Sequence, residues 1–231
     1  MSLAADPAPS ASALRLVVAA ERLFARDGVE GVSLRQIAAA AGSANNSAVH
    51  YHFGSKDGLI RAIFQHRLPQ LLADRRLLVA RCDLDDLRSR LEAHFLPVLA
   101  LAEDPENHYV SFVEQLQRHE RGSARDHLDL PPEGQRSSDE LRADLERLLA
   151  DLPEPLRSLR IEQAQTMAVH AAADRERAVD AGVVEVPFDV FANALLDGLT
   201  GFLRADPSPA TLQRLDASAG AGEPPERPRL L

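Results

Sequence analysis

The sequence predicts an all-α protein, with an N-terminal three-helix helix-turn-helix head joined by a long helix to a helical body. The composition is the first reason, because 45% of the 231 residues are hydrophobic, only 12 are glycine, and Ala, Leu and Arg are abundant. The second is that apolar residues recur three and four positions apart along most of the chain. The third is a glycine turn between two short helical segments in residues 32–59.

The first short helix of this stretch has a clear beginning and end. Ser33 is a favourable N-cap, and Gly42 can end the helix in a left-handed conformation. The helix is predicted to bury one face, made by Leu34, Ile37, Ala38 and Ala41.

A second short helix is predicted over residues 46–52, with Val49 and Phe53 facing the first helix. Its other faces carry small polar and ring side chains, which suit DNA base edges and phosphates. These candidates are Asn46, Ser47, His50, Tyr51 and His52.

The charge is unevenly distributed. The formal net charge is -9, but residues 1–60 hold five basic and five acidic side chains, so the acidic excess lies downstream. An acidic body repels DNA while a neutral head can dock, so we expect DNA contact only at the head.

The single cysteine, Cys82, cannot form an internal disulfide, and no signal peptide or run of eighteen apolar residues is present. We therefore expect a cytoplasmic protein with no membrane partner. Residues 1–11 are polar and rich in proline, and residues 206–231 end in a similar run, so both are expected to be mostly disordered apart from one helical turn near residues 212–215.

Two helices frame the short ones. The first buries Leu16, Ala20, Leu23 and Phe24 and is expected to end at Gly28. The fourth begins after Ser55 and is long, with Pro69 expected to kink it.

The body is predicted to contain further amphipathic helices over residues 84–102, 105–120 and 138–152, with a long mobile loop at 121–137. Residues 164–173 hold no acid, Lys or Arg over nearly three turns, so that helix needs cover on most sides. A last helix begins at Pro187 and carries apolar residues at helical spacing.

The head resembles the DNA-binding half of TetR-family transcriptional regulators over about residues 12–64. Relative to the common pattern of that family, the stretch from Gly42 to Phe53 is one residue longer, and its Asn-Asn-Ser-Ala segment is a variant. The resemblance rests on Leu23, Phe24, Gly28, Gly31, Val32, Ser33, Ile37, Ala38, Ala41, Gly42, Tyr51, His52, Phe53, Lys56 and Leu59.

The resemblance implies a DNA-binding domain over residues 12–57 whose contacts with double-stranded DNA involve the family's motif positions. Lys56 matches a phosphate-binding lysine, with a solvated surface charge as the alternative. Arg35 is expected to reach the groove, whereas Ser33 either caps its helix alone or also binds phosphate. His52 either contacts phosphate or packs under the turn. Asn46 is the best candidate for reading adenine, and the longer turn keeps Asn45 in contention.

For residues 58–205 the resemblance implies a body for ligand binding and dimerisation, in which the last two long helices form the interface of a homodimer. We nominate Ala164, Ala168, Ala171, Phe191, Leu195 and Phe202 for that interface. For the pocket of an unknown small-molecule effector we nominate His108, Phe112, Gln115, Met167 and His170.

The predicted function is that of a ligand-responsive repressor that binds a palindromic operator as a dimer. The alternative is a helical small-molecule-binding protein whose head has lost operator function, and an enzyme ranks third because no catalytic constellation, metal site or cofactor motif stands out. Selection of operators from random duplexes separates the first two.

Overall fold

A computed structural model of the protein describes residues 10–43, 48–122 and 131–220, and these residues form helices without any strand. The all-α prediction is therefore confirmed. The helices are α1 (Ala11–Gly31), α2 (Leu34–Ala40), α3 (Ala48–Phe53), α4 (Lys56–Val79), α5 (Leu87–Leu101), α6 (Tyr109–Gly122), α7 (Pro132–Leu148), α8 (Leu156–Asp180), α9 (Phe188–Arg204) and α10 (Pro209–Gly220).

The head consists of α1, α2 and α3 packed on the first half of α4, as the sequence predicts. Gly28 has a φ of 73° and a ψ of 161°, so the first regular helical segment of α1 ends there as predicted, and a short helical segment follows the kink to Gly31. Helix α6 also contributes to this core, because Tyr109, Phe112 and Leu116 are buried against the head helices. The head and the body therefore share one hydrophobic core.

Among the described residues, Pro69 and Pro97 lie in helix interiors. Pro69 lies inside α4, which extends from Lys56 to Val79, and the kink expected at this proline stays a prediction. Pro97 lies inside α5 and is buried. A proline in a helix interior removes one backbone hydrogen bond, and surrounding tertiary packing compensates for that loss.

The body surrounds a second core made by α5, α7, α8 and α9. Its fully buried side chains include Leu87 and Leu91 from α5, Leu141 and Leu145 from α7, and Leu203 from α9. A smaller third cluster joins α5, α6, α8 and α9 around Leu99, Val110, Ala172, Ala173 and Ala192.

Two expectations about the body are wrong. Helix α7 begins at Pro132 rather than at residue 138, because proline suits the first turn of a helix, where its missing N–H needs no partner. Helix α10 covers twelve residues rather than one turn, because the hydroxyl of Ser208 accepts from the N–H of Thr211 and so caps its first turn. The expected N-terminal disorder, most of the expected loop and the end of the tail lie outside the described residues.

In the described part of the chain, none of the helices is long and apolar enough to cross a membrane.

Candidate nucleic-acid interface

Helix α3 presents three ring side chains on its outer surface. Val49 is fully buried and anchors the six-residue helix to the head core. His50, Tyr51 and His52 are exposed, and Tyr51 leaves 84% of its surface accessible. The alternative in which His52 packs under the turn is therefore wrong. An exposed large aromatic ring on such a short helix is available to another molecule.

His50 also closes the end of α3. Its Nδ1 lies 2.8 Å from the carbonyl oxygen of Gly54 and donates to it. In the neutral ring this leaves Nε2 as an acceptor, whereas the protonated ring offers a second N–H donor. The same side chain can thus terminate the helix and contact DNA.

Ser33 forms the predicted cap of α2. Its hydroxyl accepts from the N–H of Gln36 at 3.3 Å, and its own N–H donates to Gln36 Oε1 at 2.8 Å, which completes a capping box. Arg35 lies in the first turn of α2 and is exposed. The capping role of Ser33 is confirmed, and the DNA contacts of both residues stay predictions.

Lys56 begins α4 and is half-buried. Its Nζ donates to the carbonyl oxygen of Val29 at 2.9 Å, so the solvated-charge alternative is wrong. The first turn of α4 needs glycine for a steric reason, because a Cβ on Gly58 would lie 1.9 Å from the carbonyl oxygen of Phe53. This close approach fixes the angle between α3 and α4.

Asn45, Asn46 and Ser47, the predicted base readers, lie outside the described residues. The structure places the remaining candidates on α2, on α3 and at the start of α4. Helix α3 packs on both α2 and α4, and so brings these elements together.

A buried ion pair links α1 to α4 inside the head, and it was not predicted from the sequence. Glu21 is fully buried, and Arg67 donates to its two carboxylate oxygens at 2.7 and 2.6 Å. The N–H of His108 donates to the same carboxylate at 3.2 Å. Glu21 thereby joins α1, α4 and the segment before α6. Its place on the buried stripe of α1, four residues after Val17, was the available signal.

A second buried carboxylate joins α8 to α6. Glu176 is 3% exposed and accepts from the N–H groups of Val110 and Ser111 at 2.9 and 3.1 Å, which lie in the first turn of α6. Burial raises the pKa of Glu176 to about 7 although these hydrogen bonds oppose the shift, and the charge of Glu21 raises it further.

The nominated pocket residues do not form one cavity. His108 and Gln115 line an open groove of about 1420 Å³ between α1, α6 and the end of α8. Met167 and His170 line a separate cavity of about 420 Å³ between α6 and α8. Phe112 is fully buried in the head core. Of the two nominated residues on α6, Phe112 packs in the head core and Gln115 lines the groove, a difference that spacing along the sequence did not reveal.

The nominated interface residues also separate. Ala164 and Ala168 are each 1% exposed and pack in the core of the single chain, which removes their side chains as contacts with a second copy. Their small size allows close packing between helices of the body. The remaining four are only half-buried, namely Ala171, Phe191, Leu195 and Phe202.

A stretch within the head matches a known protein family. Residues 16–63 match the family model for bacterial regulatory proteins of the tetR family. No curated protein matches the chain.

Solved structures share the overall fold. A TetR-like transcriptional regulator from Rhodococcus sp. RHA1 is 19% identical, with a TM-score of 0.52 over 86% of this chain and 96% of that one. A second transcriptional regulator from Rhodococcus sp. Rha1 is 21% identical, with a TM-score of 0.54 over 83% and 95%. The fatty acid degradation regulator FadR from Bacillus halodurans is 15% identical, with a TM-score of 0.54 over 86% and 99%. Residues 16–63 of the head thus match the tetR-family model, and most of the chain shares the fold of these solved structures.

Proposed function

We propose that the protein is a transcriptional regulator that binds a palindromic operator as a homodimer and releases it in response to a small molecule. The observation that carries the proposal is the outer surface of α3, where His50, Tyr51 and His52 are exposed on a head that matches the tetR-family model. Such a helix fits the major groove of B-form DNA.

The contacts divide into two kinds. Lys56, Tyr51 and the region around the capped start of α2 suit phosphates, which position the head without reading sequence. The polar residues Asn45, Asn46 and Ser47 precede α3 and are proposed to read bases, with His50 beside them.

A palindromic operator implies a dimer, because its two half-sites are related by a twofold axis. Two heads related by a twofold axis read half-sites about one helical turn apart, roughly 34–36 Å. The exposed and half-buried faces of α8 and α9 offer the surface for the second copy, since α9 carries Phe191, Leu195 and Phe202 in half-buried positions. A DNA-binding regulator of this kind works in the cytoplasm.

The test is selection of binding sites from random DNA duplexes, followed by titration at several salt concentrations. A palindromic consensus that binds at least about a thousandfold more tightly than random DNA is the expected result. Salt-dependent binding without a consensus contradicts operator recognition and supports the alternative, a small-molecule-binding protein whose head has lost that function.

A further inference from the structure

A cavity of about 310 Å³ lies between the C-terminal end of α4, the middle of α5 and the first turns of α7. Part of its wall is apolar, from Leu72, Val79 and Ala80. The remainder is rich in basic side chains, namely Arg75, Arg76, Arg90, His94 and Arg136. No residue of α2, of α3 or of the start of α4 lines the cavity.

Arg90 has a buried donor without an acceptor. The side chain is 3% exposed, and its Nε donates to Asp144 at 2.6 Å. Its Nη1 is buried and has no hydrogen-bond partner within the described part of the chain. Leaving a buried N–H group unpaired is costly and uncommon in native proteins. An acceptor in the cavity would satisfy this atom.

Arg75 faces the same cavity without a carboxylate. Its Nε donates to the carbonyl oxygen of His94 at 2.9 Å, and its Nη1 lies 3.5 Å from the hydroxyl of Ser137. No carboxylate pairs with it in residues 10–43, 48–122 or 131–220. Burial lowers the pKa of Arg75 to about 10, and the charge of Arg90 contributes in the same direction. Arg75 therefore stays positively charged at neutral pH.

The other charged groups around the cavity do not neutralise the positive charge of Arg75. Burial, followed by the charges of Arg75 and Arg90, lowers the pKa of His94 well below its usual value, so that ring is neutral. At the rim, Glu133 is exposed and pairs with Arg136 at 3.4 Å, while Glu140 is exposed. Inside, Arg90 pairs with Asp144, whereas Arg75 pairs with no carboxylate of the described residues, which leaves one unbalanced positive charge.

We propose that this cavity binds a small organic carboxylate. Its oxygens accept from Arg90 Nη1 and from the guanidinium of Arg75, since carboxylates match guanidinium donors in charge and planar geometry. Its short apolar part lies against Leu72, Val79 and Ala80. A volume of about 310 Å³ is at the small end of ligand pockets, which limits the molecule to a short chain or one ring.

The site also offers a route to the head, a step that rests on the proposed function. Arg75 and Lys56 lie on the same helix, nineteen residues or roughly 28 Å apart along its axis. A carboxylate held jointly by α4 and α5 beside α7 would fix the end of the helix whose other end carries Lys56. Binding of the carboxylate is therefore expected to change operator affinity.

The single cysteine gives a local probe of the cavity. Cys82 Sγ donates to the carbonyl oxygen of Val79, a residue of the cavity wall, at 3.3 Å. We would attach a trifluoromethyl label to Cys82 and titrate the DNA-free protein with acetate, hexanoate and benzoate, while following the melting temperature of unlabelled protein. Hexanamide and inorganic phosphate are the matched controls.

Saturable ¹⁹F shifts and a raised melting temperature with hexanoate or benzoate, but not with hexanamide or phosphate, are the expected result. Arg75→Gln and Arg90→Lys should each weaken this binding about tenfold or more, because each removes a charge-assisted hydrogen bond. Arg142→Gln is the control, since Arg142 pairs with Glu146 and Glu162 outside the cavity.

The proposal is overturned if none of the three carboxylates binds wild-type protein, if phosphate binds as well as hexanoate, or if both arginine variants bind like wild type. If circular dichroism shows that Arg75→Gln does not fold, carboxylate binding by the wild type and by Arg90→Lys still tests the proposal. Operator binding is measured separately, without carboxylate. Absence of carboxylate binding would therefore not contradict operator recognition. Absence of operator recognition would likewise not contradict the carboxylate site.

Discussion

The ammonium group of Lys56 donates a hydrogen bond of 2.9 Å to the carbonyl oxygen of Val29, and so joins the start of α4 to the end of α1. An ammonium has three donors, so two remain for a DNA phosphate. One side chain can therefore hold the head together and neutralise a phosphate.

Lys56→Ala is expected to weaken binding to all DNA sequences alike and to lower the slope of log affinity against log salt by about one. It should also lower the free energy of unfolding by about 1 kcal/mol, because the Val29 carbonyl loses its donor. Salt titrations on operator and random duplexes, with urea unfolding, measure both. Lys56→Arg, which keeps the charge, should retain the salt slope. An effect confined to the operator would contradict a phosphate contact.

Asn46→Ala is expected to cost about 1 to 3 kcal/mol of binding free energy on the operator and to relax the preference at one base pair per half-site. The reason is that an asparagine amide can both donate to and accept from adenine, and alanine can do neither. Binding to a set of single-base operator variants measures the preference. Asn45→Ala is the matched control, and if it alone relaxes a base preference, Asn45 is the reader.

A feature of this fold could be predicted from the sequence when the residues that cause it lie close together along the chain. Ser33, Gly42 and Val49 act within a few residues, so the cap, the turn and the buried face of the head could be predicted. The position of Glu21 on the buried stripe of α1 is a local signal, but Arg67 is 46 positions away, and nothing local identifies it as the buried partner.

The same reasoning applies to the sites in the body. Arg90 and Asp144 are 54 positions apart, and the cavity beside them exists only once α4, α5 and α7 have packed. Ala168 belongs to an uncharged helical segment that needed cover, but the spacing could not tell whether that cover comes from its own chain or from a second copy. Here the chain itself supplies it.

The stability of the protein should depend on the protonation of Glu176. Its pKa rises from the usual 4.5 to about 7 on folding, so between these values the folded state binds more protons than the unfolded state. The contribution of Glu176 to the free energy of unfolding is therefore largest below pH 4.5 and falls as the pH rises to about 7, by about 3 kcal/mol in all.

Glu176→Gln should remove this fall, since glutamine does not titrate. Urea unfolding of both proteins from pH 4.5 to 8 measures the difference between wild type and variant, which cancels the other titrating groups. Glu162→Gln on the same helix is the control, because Glu162 is exposed and should leave the wild-type slope unchanged. A wild-type slope that persists in Glu176→Gln would refute the assignment.

The last prediction concerns the dimer and uses the outer face of α9. Gly198 is exposed, and a Cβ added there would meet nothing within 4 Å in the chain. Gly198→Glu should therefore leave the single chain folded and slightly more stable, because glutamate favours helix more than glycine does. In a dimer built on this face, the added charge would lie near its own copy across the twofold axis and oppose association.

Light scattering of Gly198→Glu is expected to show a helical monomer, with operator affinity greatly weakened because a single head makes half of the contacts. Leu195→Glu tests the adjacent half-buried position, where partial unfolding would reveal a core role instead. Ala143→Glu, an exposed change on α7, is the control and should stay dimeric. If Gly198→Glu remains a dimer that binds the operator as wild type does, the interface lies away from this face of α9.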